Sequence, residues 1–144
     1  MALLLCALLV LTAAAGCGKK TNRLSPVDFR TQANRVCAKY QAKLKALPAP
    51  NTLAEVDGYV SKALPLFTGE IGEIRALTPP SNFQTQVDRM LSRAEDTVAA
   101  ARKLRAAAHK GDEAAARQAL KDGQAASSDA DKAARSLGLT ACAN

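Results

Sequence analysis

The side chains able to do chemistry in this chain are few: one histidine, four cysteines, thirteen carboxylates and some serines, set among twenty lysines and arginines. His109 stands alone. Without a second histidine, a Cys-x-x-Cys-His run or an inward Glu-x-x-His pair, neither a haem nor a di-metal centre has its ligands, so no cofactor and no metal is expected. His109 instead falls where a helical stretch ends, and a donor or cation there suits the helix's negative pole. The acidic neighbours Glu95-Asp96, Asp112-Glu113 and Asp129 with Asp131 point different ways on a helix and would need partners from another helix to share a site. They read as solvated faces. Ser127 and Ser128 lie in an alanine-rich stretch with no histidine base in reach, which leaves a serine-hydrolase reading unsupported. No reaction is legible, and the chain is expected not to be an enzyme.

The basic residues are unevenly placed. Lys19, Lys20, Arg23, Arg30, Arg35, Lys39, Lys43 and Lys45 face only Asp28 between residues 19 and 47, so most of the net charge of +7 sits there. Ahead of them Leu3 to Leu11 is almost continuously apolar and is followed by the small residues Ala13 to Gly16, the layout of a secretory signal's apolar core and cleavage region. The run is shorter than the roughly 20 apolar residues a spanning helix needs. Its end, Ala14-Ala15-Gly16-Cys17, resembles the lipobox of bacterial lipoprotein precursors. That resemblance implies cleavage before Cys17, a diacylglyceryl group on its thiol, and a protein lipid-anchored to the extracytoplasmic face of the cell membrane. A tether from Gly18 to Leu24 holds the following domain within roughly 25 Å of the bilayer. Lys19, Lys20, Arg23 and Arg30 are then the residues placed to contact an anionic surface, each contributing about 1 kcal/mol near the headgroups. Aromatics are only 3% of the chain, too few for base stacking, and nucleic acid is not an expected partner.

With Cys6 removed in the signal and Cys17 lipidated, Cys37 and Cys142 remain as an even pair. An oxidising compartment makes their disulfide the expected outcome, with two buried free thiols as the alternative. Closing a loop of about 105 residues stabilises a fold by roughly 4 to 5 kcal/mol in the chain-entropy model.

The elements that carry these residues are read from periodicity and punctuation. Ser25-Pro26-Val27-Asp28 starts a first helix that runs to about Leu47, with an apolar stripe of Phe29, Ala33, Val36, Cys37, Tyr40, Leu44 and Leu47. Pro48 and Pro50 break it, and Thr52 with Glu55 forms a capping box for a second helix striped by Leu53, Val56, Val60, Leu64, Phe67, Ile71, Ile74 and Leu77. Pro65 falls inside that helix and is expected to kink it. After Pro79-Pro80, Ser81 with Gln84 forms a further capping box for a third helix reaching about Lys110, its core face running from Phe83 and Val87 to Leu104 and Ala108. Gly111 ends it. Asp112 caps a fourth helix terminated by Gly138, with Ala116, Leu120, Gly123, Ala130, Ala134 and Leu137 turned inward. Long helices with short connections predict an all-α, up-down-up-down four-helix bundle with a kinked second helix and one disulfide. The tail after Gly138 must fold back toward Cys37. The chain therefore divides into a lipoprotein signal peptide (1–16), a lipidated cysteine and tether (17–24) and a bundle domain (25–144).

The alanine and arginine richness, the Leu-Pro-Ala-Pro turn and the closing Ala-Arg-Ser-Leu-Gly-Leu-Thr-Ala-Cys stretch are similar to small helical lipoproteins of high-GC actinobacteria, a group mostly without assigned activities. The expected role is a non-enzymatic, lipid-anchored bundle that binds a protein or envelope component at the membrane surface. The alternative is a carrier of a small apolar ligand in a groove near Pro65, since grooves between bundle helices are where such ligands bind.

Overall fold

A computed structural model describes residues 22–143. The leader, Cys17, Lys19 and Lys20 lie outside the described residues. Four helices follow in chain order: α1 (Pro26–Lys45), α2 (Leu53–Ala76), α3 (Gln84–Lys110) and α4 (Glu113–Leu137), closed by a 3₁₀ turn at Thr140–Cys142. Their starts are set by the residues expected to cap them. The Ser25 hydroxyl accepts from the Asp28 amide at 3.1 Å, Thr52 from Glu55 at 3.4 Å and Asp112 from Ala115 at 2.9 Å. Each satisfies an amide that has no partner in the first helical turn. Gly138 adopts φ +76° after α4, and the amide of Leu139 returns to the carbonyl of Ala134 at 2.9 Å, a left-handed ending that spares the last carbonyls from desolvation. No helix among the described residues is long and apolar enough to cross a membrane.

The start of α3 departs from the expected capping box. The Phe83 amide bonds to Pro80 at 2.9 Å in a turn, and the helix begins three residues after Ser81 without a side-chain cap. Two demands override the box. Gln84 is engaged elsewhere, its Oε1 accepting from Arg23 at 2.9 Å and its Nε2 donating to Asp88 at 3.0 Å. The turn also carries the Phe83 ring into the core, edge-on to Phe29 with centroids 6.2 Å apart, a favoured aromatic arrangement.

Each helix packs on its sequence neighbours, most extensively α3 on α4. The seam between α1 and α4 is closed differently, by the tail. Arg30 Nε donates to the Leu137 carbonyl at 2.7 Å, Asn34 Nδ2 to the Gly138 carbonyl at 3.3 Å, and Asn34 Oδ1 accepts from the Ala141 amide at 2.8 Å. The Cys37–Cys142 disulfide, with Cα atoms 5.0 Å apart, completes the closure and meets the expectation for the pair. Phe29, Cys37, Leu137 and Leu139 are fully enclosed beneath it.

α2 is helical without interruption through Pro65, whose side chain faces solvent. The Thr68 hydroxyl donates to the carbonyls of Leu64 and Pro65 at 3.0 and 3.2 Å, on the turn where the proline disturbs the backbone ladder. One expected core residue is misplaced. Leu120 is 49% exposed, whereas Ala116 and Ala119 are buried. At this level α3 offers Ala100 and α4 offers Gly123, where an added methyl would meet the Ala100 methyl at 3.4 Å. Small side chains let the two backbones approach, and that close face, rather than the most hydrophobic one, becomes the interior.

Candidate functional site

Where α1 and α4 are bridged by the tail instead of packing on one another, the short side chains Ala94 and Ala130 leave a cavity of about 100 Å³ reached by all four helices. Its floor is apolar. α2 supplies Phe67, Ile71 and Ile74, α3 supplies Met90 and Leu91, and Cys142 of the disulfide closes one side. Its rim is polar, with Gln41 of α1, Glu70 of α2, Thr97 of α3, and Ser127 and Asp131 of α4. Among the described residues no lysine, arginine or histidine lines it.

Glu70 is the unusual group. It is half-buried and makes no hydrogen bond or ion pair with any of the described residues, and burial alone pushes its carboxyl up to about 7. Glu73, one turn on, is treated in the opposite way. It accepts from the Tyr40 hydroxyl at 2.7 Å and pairs with Lys39, and these partners, the Lys39 ammonium foremost, hold it below the usual carboxylate range. The same hydrogen bond to Glu73 pushes the Tyr40 phenol up. Tyr40 can lie this close to α2 because residue 69 is glycine: a Cβ there would sit 2.7 Å from the tyrosine hydroxyl oxygen. The glycine therefore sets the α1–α2 spacing on the turn that presents Glu70. Chemically, the cavity offers an apolar volume with a carboxyl poised between its two protonation states. Among the described residues no group of three or more His, Cys, Asp and Glu side chains is placed to hold a metal ion.

The residues singled out in the sequence fall in several places. Arg23 and Arg30, expected at an anionic surface, each make intramolecular bonds, Arg23 from an exposed position and Arg30 from a half-buried one. Arg23 donates to the Pro79 carbonyl at 2.7 Å as well as to Gln84, and Arg30 lies 4.9 Å over the Phe83 ring besides capping α4. His109 is exposed at the far end of α3, with Nδ1 3.3 Å from an Asp57 oxygen, and Arg105 donates to the other oxygen at 2.7 Å. Chiefly through Arg105, the Asp57 carboxyl is held below its usual range. Glu95, Asp96, Glu113 and Asp129 are exposed and paired with Arg75, Arg93, Arg117 and Lys132. Asp131 differs, turning to the cavity rim. Pro65 lies outside the cavity lining, which begins two residues later at Phe67. A second groove, lined by Arg89, Arg93 and Lys132 with Asp129 among them, runs between α3 and α4, away from the basic first helix.

Glu70 escaped the sequence reading although its position carried a signal. It follows Phe67 by three residues and precedes Ile74 by four, so it falls on the same helical face as that apolar stripe, where a carboxylate is out of keeping. Comparison with protein-family models, with curated proteins and with solved structures returns no match.

Proposed function

We propose that this chain is a non-enzymatic binding protein, lipid-anchored through Cys17 on the extracytoplasmic face of the membrane, that holds a small, mainly apolar ligand between its helices. The observation that carries the reading is the cavity with an apolar floor and a polar rim reached by all four helices, the composition of a small-molecule site. The Cys37–Cys142 disulfide agrees with an oxidising compartment. A surface-bound partner has less in its favour. The large exposed apolar side chains, Val27 at 68% and Leu120 at 49%, lie on different helices toward opposite ends of the bundle, and single exposed apolar residues are ordinary on any surface.

Native mass spectrometry of the full chain extracted from membranes tests both halves of the proposal. The expected spectrum carries a diacylglyceryl mass on Cys17 and a small non-covalent adduct that disappears in Ala94→Leu, which fills the cavity. An unlipidated Cys17 ends the membrane half. A wild type that emerges without an adduct and binds no butan-1-ol saturably ends the ligand half.

A further inference from the structure

The ligand's chemistry is written in the pairing of the carboxylates. Of the thirteen Asp and Glu side chains in the chain, all but two have a protein partner. Asp57, Glu73, Glu95, Asp96, Glu113 and Asp129 are ion-paired. Asp28, Glu55, Asp88, Asp112 and Asp122 bond to hydroxyl, amide or backbone donors. The two that lack any partner among the described residues are Glu70 and Asp131, and both line the same cavity from different helices. In a chain with twenty lysines and arginines and a net charge of +7, a cavity with two carboxyls and no cation from the described residues leaves room for a positive charge from outside. We infer that the cavity takes a protonated aliphatic amine, its ammonium at the carboxyl rim formed by Glu70 and Asp131 and its short hydrocarbon chain against Phe67, Ile74, Met90 and Leu91.

This rests on the reading of the cavity as a ligand site and specifies what enters it. A bare divalent metal suits the site poorly, since a hard cation seeks about six or more oxygens and the floor here is carbon. A cation at the rim also recovers the hydration that burial has taken from Glu70, because a charge-assisted hydrogen bond replaces lost water contacts.

A dependence on pH follows. The titratable groups around Glu70 are Tyr40 from α1, Glu73 from its own helix and Asp131 from α4, while α3 contributes only Met90, Leu91, Ala94 and Thr97 to the lining. The ammonium binds the ionised form of Glu70, so amine affinity rises with pH through about 7, then falls only when the amine itself loses its proton near pH 10. A neutral alcohol of equal length lacks this rise.

The test is a nuclear magnetic resonance titration of the full chain, following the methyl groups of Ile71, Ile74 and Met90, with n-butylamine, butan-1-ol and butyrate at about pH 6 and about pH 8. The expected result is an amine preferred over the alcohol and the acid, bound roughly tenfold tighter at the higher pH. Glu70→Gln, which keeps the shape and removes the charge, weakens the amine by roughly ten- to a hundredfold and leaves butan-1-ol unchanged, an internal control that the cavity is intact. Equal binding of the three compounds, or an amine affinity indifferent to Glu70→Gln, overturns the amine assignment and leaves an apolar site standing. Methyl groups that respond saturably to none of them overturn the site together with the assignment.

Discussion

Where α1 starts and α4 stops, Phe29, Leu137 and Leu139 have no exposed surface and a disulfide ties the tail to α1, whereas toward the other end the buried side chains of α3 and α4 include Ala100, Ala107, Ala108, Ala116 and Ala119. The first end gains from large apolar side chains and a cross-link. The second gains from close backbone approach, with little apolar area per residue, and from the exposed Asp57–Arg105–His109 cluster. The cavity lies between these regimes, where neither large side chains nor close approach fills the space. A bundle poor in aromatic residues can thus concentrate its large buried side chains at one end and leave an opening in its middle.

Removing the cross-link should weaken the closed end most. The double substitution Cys37→Ala and Cys142→Ala is expected to cost about 4 to 5 kcal/mol, measured by the denaturant midpoint. Hydrogen exchange should then show α1 and the tail losing protection before the α3–α4 pair. Uniform loss would mean that the two ends are one cooperative unit. A smaller effect comes from truncating the same residue type at two levels of α4. Leu137→Ala, in the enclosed end, is expected to destabilise by about 2 to 5 kcal/mol, whereas Leu120→Ala should stay within about 0.5 kcal/mol. Thermal unfolding of the two variants decides it, and equal losses would contradict the placement of Leu120 on the surface.

The smallest effect concerns the cavity. Folding raises the proton affinity of Glu70 from its ordinary value near 4.5 to about 7, so the native state binds more protons than the unfolded chain between those values. Its contribution to stability is therefore greatest at low pH and declines as pH rises through that window. Asp57 and Glu73, held low by Arg105 and Lys39, act in the opposite sense in the acid range, where their protonation removes stability. Glu70→Gln should flatten the decline between about pH 5 and about pH 7 in a series of unfolding midpoints and leave the acid limb unchanged. A slope that survives the substitution would show that the carboxyl is well solvated.

Much of the fold was legible because local chemistry and tertiary demand agree. Ser25, Thr52 and Asp112 cap helices where a cap was expected, Gly111 and Gly138 end them, and Cys37 meets Cys142. Legibility failed where tertiary contacts outbid local ones. Ser81 lost its partner because Arg23 reaches Gln84 from outside the helix, and Leu120 lost its place because alanine faces pack closer than leucine faces. The site was less legible still. Pro65 drew attention as a disturbed backbone, yet it faces solvent, and the cavity depends on what Ala94 and Ala130 fail to fill. That absence is visible only once the helices are set side by side.

The tail closure also carries a kinetic meaning. On a chain made from its N-terminus, Cys37 precedes its partner by 105 residues, while the principal helix contacts join consecutive elements. Such local contacts form within microseconds to milliseconds, and thiol oxidation takes seconds to hours. Three helix hairpins can thus assemble as an open array before the bond exists, and only the docking of residues 138–142 on Asn34 and Arg30 brings the two sulfurs together. The covalent bond is then a seal applied to a finished arrangement, and a chain whose last helix has misdocked would remain reduced.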